Sequence, residues 1–509
     1  MVTMGATNSK TVLEDAHRLY VFLVDVILFP LILPSLFLYA IFKFIRRIST
    51  TTTTTTTLLK AKARTTTTTT TPMVRKIKET TQSIIGQEEV KLLEIVTGIE
   101  DEHEEGFMVE RQFVGFLIGL GVSQSGLANT DCCTSWEGVS CDHFGYVIRL
   151  DSSESGFVGN IDSNNSLFNL YHLQTVNLAN NDFNSSSIPA GFARLNRSLT
   201  HLDLSSSNFS GMVPLEISQL TNLISLDLSY FIPYASATSA QEWLSVIASA
   251  ELHHLQVLTL SDCNLAGSIG TSMLNLSSLS HLDLSDNHIT DFPQQMFHLP
   301  NLKVLDLSHN SHLTGSLPEF PTGSIIQQLI LTDTIFFGRI PHSIGNLKQL
   351  AFLVLGGNNF EGEIPSSFSK LSHLEFLDMS SNKLSGPIPS SYANNDLPNL
   401  TYLDLSNNQL NGTIPPSLFT LPSLQEMYLD QNKFIGILDD EAFPNSISSP
   451  LTMLDLSYNL LEGNIPKFIS KFTSLEYLDL SSNNFHGAVD PRMFASLKTF
   501  PRSIFHTTS

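Results

Sequence analysis

From Leu170 onward, apolar and polar positions recur with a period of about 24 residues. The stretches SHLDLSDN (280–287), KVLDLSHN (303–310), EFLDMSSN (375–382), TYLDLSNN (401–408) and EYLDLSSN (476–483) are versions of one unit, LxxLxxLxLxxNxLxGxIP, present in about 13 copies. Alternating leucines such as Leu282 and Leu284 send every second side chain into a core, so each unit predicts a short strand. The asparagine that follows (Asn287, Asn310, Asn358, Asn382, Asn408, Asn432, Asn459, Asn483) sits where the chain turns off that strand, with an amide suited to bonding the backbone of adjacent turns. Glycine and Ile-Pro then end the turn, as at Gly362, Ile364 and Pro365, because proline removes the donor a continuing strand would need. One unit cannot bury its own leucines. Stacked units share an elongated core with strands about 4.8 Å apart, which predicts an α/β solenoid curved into a right-handed horseshoe with a parallel sheet on its concave face.

Ahead of the repeats stands DCCTSWEGVSCD (131–142), holding three of the four cysteines. Adjacent cysteines rarely bridge each other, so Cys141 is expected to pair with Cys133 or Cys132. No CxxC pair or matched histidine supports zinc, and no metal site is expected. This motif, followed by LxGxIP repeats, resembles the plant extracellular leucine-rich-repeat proteins, the receptor-like proteins and receptor kinase ectodomains, over residues 129–490. The resemblance implies a disulfide-bonded N-terminal cap over the first repeat. It also implies a ligand-binding ectodomain that works with a partner receptor kinase in defence or development. The cap is expected at 129–160 and the repeats at 161–490, with an insertion at 229–250 read as a loop or short helix on the convex side or, as the alternative, a ligand-clasping island. Cys263, Ser207 and Thr334 take the asparagine position with shorter side chains.

The residue between the two strand leucines points to the concave face. It is usually aspartate (Asp203, Asp227, Asp283, Asp306, Asp378, Asp404, Asp455, Asp479), which predicts a negative stripe suited to a basic or polar partner. Ile330, Val354 and Tyr428 break the row, and Phe352 stands beside Val354. Ile330, Phe352, Val354, Tyr402 and Tyr428, flanked by Asp378 and Asp404, are therefore the expected ligand-binding group, an exposed apolar patch on an acidic face. Seven Asn-x-Ser/Thr triplets, at Asn164, Asn184, Asn196, Asn208, Asn275, Asn399 and Asn411, are glycosylation acceptors if the array enters the secretory pathway.

The first hundred residues are of another kind. After a tail at 1–18, residues 19–45 are apolar and long enough to span a bilayer. A basic, threonine-rich linker with no apolar period follows at 46–106, and a short signal-like apolar segment at 107–128. The basic residues after residue 43 would place the downstream side in the cytosol, against the cap and the sequons, which place it outside the plasma membrane. At the other end the last repeat breaks down over 491–509 without a capping motif, which reads as a shortened or mis-joined form of a longer receptor-like protein.

Charge sharpens the choice of partners. Of 509 residues, those up to Glu105 carry 12 Lys/Arg against 12 Asp/Glu, so the whole net charge of −21 belongs to the remainder and argues against nucleic acid. No kinase set, GxSxG or metal constellation is present, which points away from an enzyme and from any cofactor. The leading expectation is a recognition module for a peptide, protein or glycan. The alternatives are a secreted inhibitor of a microbial wall-degrading enzyme, or the product of a damaged gene.

Overall fold

The structure, a computed structural model, describes residues 132–231, 238–248, 252–390, 397–438 and 449–487. The expected membrane span (19–45), linker (46–106), signal-like segment (107–128) and broken terminal repeat (491–509) lie outside them. Among the described residues no helix is long and apolar enough to cross a membrane.

The leucine period produces one long sheet. Among the described residues its 15 strands follow chain order, beginning with an antiparallel pair, Val139–Cys141 with Val147–Asp151. Thirteen parallel strands of three residues then run from Thr175–Asn177 to Tyr477–Asp479. Their central residues, such as Leu282, Leu305, Leu353 and Leu403, are buried in a single apolar core that runs the length of the array. The solenoid expected from the repeat is the fold found.

The asparagines act as expected. Asn287 Nδ2 donates to the carbonyls of Leu260 (2.8 Å), Leu284 (3.1 Å) and Ser285 (2.9 Å), while its Oδ1 accepts from Leu265 N (2.8 Å) and Cys263 N (3.2 Å). Each asparagine thus ties its own turn to the preceding one and satisfies groups no strand reaches. Two of the shorter substitutes keep part of this link: Ser207 Oγ donates to Leu178 O (2.6 Å) and Cys263 Sγ to Leu228 O (3.2 Å), whereas Thr334 Oγ1 bonds Leu331 O of its own turn (3.1 Å).

The repeat pattern did not announce a second sheet of 11 short strands, from Thr238–Ser239 to Asn484–Phe485, on the other side of the core. The residues after each asparagine pair for two to five positions, too few for alternation to register as a period. Positive-φ glycines such as Gly362 (81°) and Gly412 (74°) end these strands. The Ile-Pro prolines then open 3-10 turns, Ser366–Lys370 after Pro365 and Pro416–Thr420 after Pro415. In the insertion an α-helix, Ala240–Ile247, is capped by Ser239 Oγ, which accepts from Glu242 N at 3.3 Å. It buries Trp243 edge-on against Phe231, with ring centroids 4.9 Å apart.

The cap contains the disulfide Cys133–Cys141, leaving Cys132 as a buried thiol. The hairpin it closes needs Gly138: φ is +78°, and a Cβ there would collide with the Asp151 carbonyl oxygen. The antiparallel hairpin occupies the outer edge of the first parallel strand, and Trp136 packs against the end of the core.

Candidate ligand-binding face

Two residues apart on a strand means the same face, so the main sheet presents two parallel rows of outward side chains. Strand register aligns Ile330, Val354, Asp378, Asp404, Tyr428, Asp455 and Asp479 in one row. Gln328, Phe352, Phe376, Tyr402, Glu426, Met453 and Tyr477 form the other. All seven expected ligand-binding residues therefore fall on five consecutive strands.

Their depth differs from expectation. Val354 is fully buried, Ile330 is 4% exposed and Phe352 9%. An apolar side chain in place of aspartate packs down between its neighbours, and the exposed apolar patch expected around Ile330 and Val354 is not there. The aspartates are withdrawn as well. Asp306, Asp378, Asp404 and Asp455 are buried, and each accepts from the serine two residues on: Asp404 Oδ1 takes Ser406 N (2.9 Å) and Oγ (2.6 Å), and Asp378 Oδ1 takes Ser380 N (2.8 Å). The stripe is a series of turn caps and only in part a charged surface. At Ile330 and Val354 the aspartate and the serine are lost together, whereas Thr259, which also replaces the aspartate, keeps Ser261. Gly356 follows Val354, and Thr332 follows Ile330 with a buried hydroxyl that has no hydrogen-bond partner.

Burial acts on the charges. It pushes Asp227 up to about 6 against the hydrogen bonds from Ser229, and the nearby carboxylates of Asp203 and Asp283 add to the rise. Burial, with the Asp283 carboxylate beside it, raises Asp306 to about 7. Burial likewise lifts Asp430, two residues beyond Tyr428, to about 6. His309 is raised by its contact with Asp333, Nδ1 to Oδ2 3.3 Å. In all four groups the folded state holds protons more tightly than the unfolded chain. Their contribution to stability is therefore full near pH 4 and declines as pH rises towards 7. The expected result is a higher melting temperature at pH 5 than at pH 7. Asp306→Asn, which keeps the acceptor for Ser308, should flatten part of that dependence; an unchanged slope would remove Asp306 as a source.

The surface that remains open is aromatic. Phe376 and Tyr402 stack with centroids 4.1 Å apart and planes 3° from parallel. Phe352 lies on the other side of Phe376 at 6.3 Å, and Tyr428 is tilted against Tyr402 at 5.6 Å. Tyr428 donates its hydroxyl to Glu426 (2.9 Å) and Tyr402 to Asp404 (3.3 Å), which fixes both rings. The ladder thus brings Phe352, Tyr402 and Tyr428 together with Phe376, which the sequence reading passed over. Phe376 stands in the row beside the aspartates, two residues before an intact Asp378, the same setting as Tyr402 before Asp404. The detectable signal was an aromatic residue at one repeat position in three successive units.

Stacking covers the ring faces with one another, so the half-buried Phe376 and Tyr402 present edges. Edges and short gaps between rings accept aliphatic and aromatic side chains, whereas a sugar ring stacks on an open face. A shallow groove of about 520 Å³ near the first repeats, lined by His172, Arg197, Asn222 and His254, includes none of the expected residues. The seven sequon asparagines all lie outside the two rows. The amides of Asn184, Asn208, Asn275 and Asn399 donate hydrogen bonds, for example Asn208 to Asp182 at 2.6 Å, while those of Asn164, Asn196 and Asn411 carry none among the described residues.

Comparisons with known proteins agree with this architecture. Leucine rich repeat models match residues 172–195, 198–220, 252–311, 301–323, 349–371, 373–395, 389–434, 450–472 and 474–497. Receptor-like protein 6 of Arabidopsis thaliana is 40% identical over 238 residues, which is 46% of this chain and 24% of that protein. Receptor-like protein 39 of Arabidopsis thaliana is 33% identical over 370 residues, 72% of this chain and 34% of its own. The chain thus spans about a quarter to a third of the length of these curated relatives. Among solved structures, a TDR receptor superposes with a TM-score of 0.59 at 29% identity, covering 70% of this chain and 64% of the other. The plant peptide hormone receptor RGFR1 in complex with RGF2 superposes with a TM-score of 0.56 at 25% identity, covering 72% and 66%.

Proposed function

The chain is a leucine-rich-repeat protein of the plant receptor-like kind, and we propose that its repeat array is the non-enzymatic recognition module of such a receptor. It binds a peptide, or a peptide segment of a protein, along the ladder Phe352, Phe376, Tyr402 and Tyr428. The observation that carries this reading is the stacked pair Phe376 and Tyr402, which offers ring edges and gaps to side chains and no free face to a sugar. Fixed aromatic residues with a satisfied polar group beside them are the usual anchors of a recognition surface. The buried caps Asp378 and Asp404 flank the ladder in the adjacent row, and Asp404 accepts the Tyr402 hydroxyl. The likeness to the plant peptide hormone receptor RGFR1 in complex with RGF2 supports the choice of ligand class. The array faces the outside of the plasma membrane and signals through a partner receptor kinase.

A displayed random peptide library and an array of wall-derived oligosaccharides, both probed with the full chain, test this. Peptides carrying apolar or aromatic residues should be enriched, and a Phe376→Ala/Tyr402→Ala variant should weaken them by about 100-fold, the cost of removing two anchors of 1 to 2 kcal/mol each. Selection of sugars alone, or peptides indifferent to the double variant, would overturn the reading.

A further inference from the structure

Among the described residues, the outer sheet carries a group of exposed apolar side chains. Ile435 (50% exposed) and Ile437 (62%) point outward from the strand Lys433–Ile437, and Leu460 (50%) from the neighbouring strand Leu460–Gly463. Ile435 and Leu460 stand opposite each other in the register, and Ile437 lies over Gly463. Most other exposed large apolar residues are scattered singly along the array, whereas these three form one patch.

The strand on the other side of Ile435 is Gln409–Gly412, and it carries the sequon Asn411-Gly412-Thr413. Asn411 pairs with Lys433 in the register and occupies the repeat position that Ile435 occupies in the next unit, so both side chains leave the sheet on the same face. The two strands are about 5 Å apart, within reach of the first sugar on an asparagine. Asn411 and Thr413 are exposed, and among the described residues the Asn411 amide makes no hydrogen bond. Thr413 Cγ2 lies against Gly436, between the two isoleucines.

We infer that Asn411 is a glycosylation site whose glycan lies over the Ile435, Ile437 and Leu460 patch, covering apolar surface and keeping this face from self-association. A pyranose has a C–H face that sits well on aliphatic side chains, and its hydroxyls keep the covered strands wetted. The inference rests on the extracellular placement proposed above.

The test uses the full chain secreted from a glycosylating host. Glycopeptide mass spectrometry should find Asn411 occupied. Asn411→Gln should raise the fluorescence of a hydrophobic-surface dye by about threefold or shift the protein towards dimers, whereas Asn164→Gln should do neither. Adding Ile435→Ser/Ile437→Ser to Asn411→Gln should return both signals to the wild-type level. Enzymatic glycan removal from the folded glycoprotein should reproduce the change without depending on folding in the cell. Asn411 found bare while Asn164 or Asn196 is modified overturns the inference and leaves the placement intact; all seven sites bare overturns both. An occupied Asn411 whose removal changes nothing, or a glycosylated wild type that already dimerises through Ile435 and Ile437, also overturns it.

Discussion

Replacing Asn310 by alanine is expected to destabilise the middle of the array by roughly 3 to 5 kcal/mol. The residue is completely buried. Its Nδ2 donates to the carbonyls of Leu284 (2.9 Å), Leu307 (3.0 Å) and Ser308 (3.3 Å), and its Oδ1 accepts from Ile289 N (3.0 Å). Alanine leaves one buried amide and at least one carbonyl without partners, each costing about 1 to 3 kcal/mol, and adds a small cavity. Because a repeat array is stabilised unit by unit, the loss should be local, as faster amide hydrogen exchange from Leu284 to Leu329 with the ends of the array less affected. Asn310→Cys should cost less than half as much. The chain already makes that substitution at Cys263, whose thiol reaches the preceding Leu228 carbonyl at 3.2 Å. Equal losses for the two variants, or a loss spread evenly along the array, would contradict the ladder as the source of this stability.

The ladder was legible in the sequence because its period is strict and its chemistry allows one job. Asn287 and its equivalents recur three residues after a buried leucine, where a side chain that both donates and accepts is the natural answer to an unpaired turn. Which way a strand residue faces was legible for the same reason: Ile330 and Asp378 do share a row with Tyr428. How deep each residue sits was not. Facing is fixed by alternation along one strand, whereas depth depends on neighbours about 24 residues away in sequence, and on whether Ser308 or Ser406 turns a carboxylate inward. Phe376 escaped because it follows the rule of its own row; its partner Tyr402 becomes visible as a partner only when two strands are laid side by side. The second sheet escaped because its strands are shorter than the window in which alternation can be recognised.

The coupled loss of aspartate and serine yields the most discriminating expectation. Val354→Asp restores the residue that most repeats carry at this position, yet it should destabilise the protein by about 3 to 5 kcal/mol, as an uncompensated buried carboxylate does. Val354 is fully buried and pairs in register with the buried Asp378, so the new carboxylate would meet a second one across the strand. At 356, where other repeats offer a serine hydroxyl, there is glycine, and a Cβ there would stand 3.0 Å from Asp378 Oδ1. Val354→Asp/Gly356→Ser supplies the missing donor and should recover a large part of the loss. The recovery stays incomplete because Asp378 must move by a few tenths of an ångström to admit the new Cβ. Gly356→Ser alone, with no carboxylate at 354 for its backbone N–H and hydroxyl to cap and the same crowding of Asp378, should be mildly destabilising. The two substitutions are therefore expected to be strongly non-additive, with a double-mutant cycle measured by thermal or denaturant unfolding giving a coupling of about 1 to 3 kcal/mol in favour of the pair. Additive losses would mean that aspartate and serine occupy these positions independently. Coupling of the expected sign would make the aspartate row a set of two-residue turn caps. The loss of two consecutive caps, at Ile330 and Val354, would then be what lets the face beside the aromatic ladder close over apolar side chains.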